Sequence, residues 1–220
     1  MTRTITVRGT GHIRLKPDMT VVSLNIIARN REHDKAMSQA AEALAQLRDA
    51  IENAGVDSDL LKTSSFSVQT EYNGVNDRNG VYRNVFVGYI CSHGVSLELD
   101  LDTALLSRVL SAIASSVAEP ELNIRFTVRD RNAVSRSLLE SAAANAREKA
   151  EILAAASGVK LGELVTIEYG FGELEPYSPT RFTMAKRCMA NGAVPMCEDM
   201  AIAPEDIELS DSASFVWELL

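Results

Sequence analysis

The chain has 220 residues, 46% hydrophobic and 24% charged, enough to bury a core without disulfides as one large domain or two small ones. Its 22 basic against 30 acidic residues give a formal net charge of −8. With no Lys/Arg run to release condensed counterions, nucleic acid is a poor partner, and no window approaches the ~18 apolar residues of a membrane span.

The first segment, Thr4 to Val7, is β-like and ends in Gly9-Thr10-Gly11. Lys16-Pro17-Asp18 turns the chain into a second strand, Met19 to Ala28, whose Val22, Leu24, Ile26 and Ala28 share one face by the two-residue period. A helix follows from about Asp34 to Ala54, with Met37, Ala40, Leu44, Leu47, Ile51 and Ala54 as its apolar stripe and Gly55 as its stop. Phe66, Val68, Thr70 and Tyr72 then alternate on one strand, and Val85 through Leu99 alternate on a long return strand. The connection carries two Asn-Gly pairs, which favour turns. Strands of that length predict an arm projecting past the body of the domain, with Tyr72 to Phe86 as a subunit contact.

Asp100 or Asp102 caps the next helix, Thr103 to Val117, and Leu122, Ile124, Phe126 and Val128 form another strand. Asp130 or Asn132 starts a long Ala-rich helix that Gly158 stops, and Leu164 to Tyr169 follow as a strand. Gly170 to Pro204 holds four of the six prolines and four of the seven methionines. Its weak periodicity predicts a long loop or excursion, a second candidate contact. Ile207 to Leu219 close the chain as a strand. The expected fold is a single α+β domain over residues 1–220 with a mixed or antiparallel sheet. Its order is β-α-β-β-α-β, split-βαβ-like or ferredoxin-like, followed by α-β-loop-β.

The absence of an apolar leader after Met1-Thr2-Arg3 points to the cytoplasm, or to the periplasm or envelope if a leader has been removed. Three cysteines (Cys91, Cys188 and Cys197) fit a reducing compartment better than a disulfide framework.

Together these segments resemble the SIMPL-domain family. The resemblance rests on Ile5-x-Val7-x-Gly9-x-Gly11 followed by Pro17-Asp18, the Gly55-Val56 helix end, Thr63-x-x-Phe66-x-Val68 and Gly88-Tyr89. It continues with Ala142-x-x-x-Ala146-x-x-Lys149-Ala150-x-x-Leu153-Ala154-x-x-x-Gly158-x-x-Leu161-Gly162 and Ile207-Glu208-Leu209-Ser210. It implies an envelope or stress-associated bacterial protein, with ring-like oligomers and a mammalian signalling adaptor among its relatives. No catalytic residue is carried over by it.

The residues themselves offer little chemistry. Gly9-x-Gly11 lacks the third glycine and the immediate helix of a phosphate loop, so a bulge or strand-end turn is expected. His12, His33 and His93 are isolated in sequence. Cys91 and His93 point the same way on one strand, as a thiol with its base, as two ligands, or as packed sheet residues, the last being favoured. Glu163, Glu168, Glu173 and Glu175 read as a solvated acidic stretch. Met184, Cys188, Met189, Met196, Cys197 and Met200 form a soft-ligand cluster that suits Cu(I), a redox response, or packing at an interface, again with packing favoured. The overall expectation is a non-enzymatic, self-associating homo-oligomer without cofactor. A ligand- or soft-metal-binding protein is the alternative, and an enzyme whose site assembles only in the fold or oligomer the third reading.

Overall fold

The structure, a computed structural model, describes residues 3–76, 82–116, 120–170, 174–184 and 203–220. The fold is α+β, and the chain divides into two compact units. One comprises Met1–Asp18, Thr127–Pro179 and Pro204–Leu220; the other comprises Met19–Phe126 and Thr180–Ala203.

The first unit has a three-stranded sheet. Strand β1 (Arg3–Leu15) and strand β8 (Ile207–Leu219) pair antiparallel over their whole length, from Arg3 opposite Leu219 to Leu15 opposite Ile207. Strand β6 (Leu161–Glu168) pairs with the other side of β8. Helix α3 (Arg131–Ala156) starts where the Asp130 carboxylate accepts the Ala133 N–H at 2.8 Å. It buries Leu138, Ala142, Ala146, Ala150 and Ala154, a stripe repeating every four residues. Small side chains let the backbones approach, and β1 answers with glycine. A Cβ on Gly9 would lie 2.0 Å from the Ala142 carbonyl oxygen, and one on Gly11 would lie 2.1 Å from that of Leu138. The β1–β8 register runs through both glycines without a shift. They are therefore not the bulge or strand-end turn that their sequence suggests; they make room for the helix. Val7, Phe215 and Trp217 pack against Ala146 and Ala150, and Val128, Val134, Leu138 and Ile207 form a second buried cluster.

The second unit has a five-stranded sheet ordered β3-β4-β2-β5-β7, with β2 Met19–Asn30, β3 Leu61–Asn76, β4 Tyr82–Asp100, β5 Glu121–Thr127 and β7 Tyr177–Met184. Both β2 and β3 pair antiparallel with β4. Alternation along the strands places Val22, Leu24 and Ile26, then Val95, Leu97 and Leu99, then Leu122, Ile124 and Phe126 in one core. Helix α1 (His33–Asn53) adds Leu47 and Ile51, and helix α2 (Thr103–Ser115) adds Leu106, Val109, Leu110 and Ile113. The Asp102 carboxylate caps α2 by accepting the Ala104 and Leu105 N–H groups. Gly55 and Gly158 follow α1 and α3 with φ of 90° and 73°, the left-handed conformation glycine adopts without a Cβ clash.

Strand β7 falls inside the stretch where composition suggests a loop. Its contribution to the core is Phe182, only partly buried, so the strand carries little apolar alternation to betray it. The buried positions of α1 are Ala36, Ala40, Leu47 and Ile51, with Leu44 and Ala54 partly buried on the core; the predicted stripe holds except that Ala36 goes inside and Met37 does not. Met37 is thereby left 39% exposed.

Candidate functional site

Two features of the second unit stand out on its surface: a hairpin extension and an apolar groove. Pairing of β2 with β4 ends at Asn30 opposite Tyr89. Beyond that point, among the described residues, β3 and β4 pair only with each other, from Tyr72 opposite Phe86 to Asn76 opposite Tyr82. At ~3.3 Å per residue this two-stranded ribbon continues for roughly 17 Å. A register shift between Glu71 and Tyr72 marks where it leaves the sheet; such irregularities bend and twist a strand.

The ribbon carries aromatic and aliphatic side chains that no core covers. Tyr72, Tyr82 and Phe86 are 54%, 67% and 40% exposed, with Val75 and Val85 similarly open. Edge-to-face contacts link Tyr72 to Phe86 at 5.7 Å, Phe86 to Tyr89 at 5.4 Å, and Tyr89 to His33 at 5.4 Å. Of these, Tyr72–Phe86 is a cross-strand pair of the kind that steadies a ribbon, but an isolated two-stranded hairpin is only marginally stable.

The groove lies between the flank of α1 and the adjoining β3–β4 face. Met37, Ala41, Leu44, Ala45 and Arg48 line it from the helix, and Phe66 and His93 from the strands, around a volume of about 340 Å³. The His93 ring sits edge-on to Phe66 at 5.2 Å, and its Nε2 is 3.0 Å from the Thr63 hydroxyl. Burial lowers the His93 pKa, and the Arg48 cation lowers it further.

That shift has a stability consequence. The unfolded chain binds the His93 proton more readily than the fold does, so this contribution is complete above the unfolded pKa of about 6.5. It is lost as pH falls through the lower folded value. Urea midpoints measured from about pH 7.5 down to about pH 5.5 are expected to decline more in the parent than in His93→Gln. Equal slopes would show that His93 is not held against protonation.

Cys91 and His93 do face α1 together, as their spacing predicts. Cys91 is fully buried against Ala36 and Ala40. Burial raises its thiol pKa, the reverse of what activates a nucleophilic thiolate. No hydrogen bond joins the two among the described residues. His33 Nδ1 contacts the Asp34 carboxylate at 3.1 Å, and His12 lies exposed on β1.

No group of three or more His, Cys, Asp or Glu suited to a metal occurs among the described residues. Cys188, Met189, Met196, Cys197 and Met200, proposed from sequence as soft ligands, lie outside the described residues, as does the Met184 side chain at the end of β7. Sequence reasoning missed two concavities. The groove arises from the flank of α1 rather than from its buried stripe. A second depression of about 400 Å³ lies where Ser23, Asn25, Ser64, Ser65, Glu121 and Asn123 meet, the Asn25 amide donating to Glu121 at 3.3 Å. Its only sequence trace is the polar half of each strand's alternation.

Among the described residues no helix is long and apolar enough to cross a membrane. Residues 5–217 match the profile of the SIMPL family, described as a protein of unknown function (DUF541). The 26 kDa periplasmic immunogenic protein of Brucella melitensis biotype 1 is 27% identical over 163 residues, 74% of this chain and 65% of that protein. The protein of the same name from Brucella abortus gives the same figures. The uncharacterized protein YggE of Edwardsiella ictaluri is 24% identical over 180 residues, 80% of this chain and 72% of that protein. The chain thus spans 65% of the length of the Brucella relatives. Their names overturn the cytoplasmic expectation. The odd cysteine count that supported it is a weak guide, because a fully buried thiol such as Cys91 is shielded whatever the compartment.

Proposed function

We propose that this chain, which belongs to the SIMPL family of proteins of unknown function, works in the periplasm as a non-enzymatic module that assembles with copies of itself. The ribbon carries this reading: a two-stranded extension with Tyr72, Tyr82 and Phe86 in the open. Exposed apolar surface that continues from a folded body, on an element too thin to bury it, favours a protein partner. The simplest arrangement sets ribbon against ribbon, the same patch on each copy, as in a two-fold interface. The periplasmic assignment follows the names of the Brucella relatives.

Sedimentation velocity or light scattering tests the assembly. The parent is expected to run above monomer mass, and Tyr72→Ser/Phe86→Ser to dissociate at least tenfold more readily, in line with aromatic anchors dominating interfaces. Both positions are exposed, so the variant's thermal midpoint as a monomer should stay within a few degrees of the parent's. A strict monomer at high concentration, or a double variant that assembles like the parent, defeats the reading.

A further inference from the structure

The groove on α1 combines two features that do not explain each other. Its walls are apolar: Met37, Ala41, Leu44 and Ala45 along one helix flank, with Phe66 opposite and 52% exposed. At one end stands Arg48, half-buried. Arg48 forms no hydrogen bond or ion pair among the described residues, although α1 also carries Glu42, Asp49 and Glu52. A half-buried guanidinium ordinarily finds a carboxylate, because removing it from water without one is costly. Beside it, the His93 ring has its Nε2 within hydrogen-bond reach of Thr63 and stays neutral near pH 7, which leaves the guanidinium as the cation of the groove.

We propose that the groove binds a small amphiphile bearing one carboxylate, of the medium-chain fatty-acid class, with its chain along Met37, Ala41, Leu44 and Phe66 and its carboxylate on Arg48. Charge complementarity selects this occupant: an apolar slot needs an apolar body, and a cation at its end with no partner among the described residues needs one anion. A volume of about 340 Å³ is at the small end of ligand sites, which restricts the body to roughly eight to ten carbons. The site is distinct from the ribbon and does not depend on assembly.

Decanoate and decanol, both below their aggregation limits, are the probes for the full chain, read by calorimetry and by the methyl resonance of Met37. Decanoate is expected to bind about tenfold more tightly than decanol and to shift Met37, the preference that a charge-assisted pair confers. Arg48→Gln should erase that preference while leaving decanol binding unchanged. Ala41→Leu, at an exposed helix position, should fill the slot and remove binding of both without altering the urea midpoint. Phe86→Ser, which weakens the ribbon, should bind decanoate as the parent does. The proposal is overturned if decanoate leaves Met37 unshifted, if decanoate and decanol bind alike, or if Arg48→Gln keeps the preference. Loss of decanoate binding in Phe86→Ser would likewise overturn it, by tying the ligand to assembly.

Discussion

Gly11→Ala is expected to destabilise the first unit by roughly 3 kcal/mol or more, at or beyond the upper end of ordinary overpacking. The new Cβ would lie 2.1 Å from the Leu138 carbonyl oxygen and 3.0 Å from the Ala142 nitrogen. Both obstacles are backbone of α3, so no side-chain rotamer can relieve the clash. Strand and helix must separate, and separation opens the contacts of Ala142 and Ala146 with β1. Gly9→Ala should behave similarly, since its Cβ meets the Ala142 carbonyl oxygen at 2.0 Å and the Ala146 Cβ at 2.6 Å. Gly170→Ala is the control, with nothing within 4 Å of its added Cβ. Trp217 is the sole tryptophan, packed at 5.5 Å on Phe215 in this unit, so its fluorescence reports the transition. A urea midpoint for Gly11→Ala equal to that of Gly170→Ala would mean that α3 does not rest on β1 as described.

The glycines show where sequence reasoning stops. Helix periodicity, the caps (each narrowed to two residues, of which the structure uses Asp102 and Asp130) and the alternation of β4 are local signals and legible. The reason for Gly9 and Gly11 lies in Ala142 and Leu138, far along the chain, and a local reading could offer only a bulge or a turn. Strand β7 was hidden for a different reason. It contains Pro179, and among its described side chains Ser178 alone is buried, with Tyr177, Thr180 and Phe182 partly so, so no apolar alternation announces it. The ribbon could be anticipated because the β4 run is longer than one sheet requires. The groove could not. Met37 and Leu44 look like core by spacing, yet Ala36 takes a buried place that the stripe did not include, Leu44 packs only partly on the core and Met37 is left open, so both become the wall of a slot. Arg48 is one more surface cation in sequence; that no described residue pairs with it is a fact of three dimensions.

Phe126→Ala should have the comparable effect in the second unit, a loss of about 3–5 kcal/mol. Phe126 is the largest fully buried side chain of that core, at 0% exposure, alternating with Leu122 and Ile124 on β5. Truncation removes the transfer energy of the ring and leaves a cavity among residues drawn from two helices and several strands, which cannot all close on it at once. Domain stabilities of about 5–15 kcal/mol make such a loss a large part of the total. Far-UV circular dichroism in urea is the suitable readout, because Trp217 belongs to the other unit. The midpoint is expected to fall with the slope unchanged. Ile124→Val, one methylene smaller at an equally buried neighbour, should cost about 1 kcal/mol, and the ratio between the two separates cavity formation from a general loss of strand structure. A Phe126→Ala variant within about 1 kcal/mol of the parent would sink the placement of β5 side chains in this core. It would also weaken the assignment of α1's flank, because α1 is held in place by Leu47 and Ile51 in the same cluster.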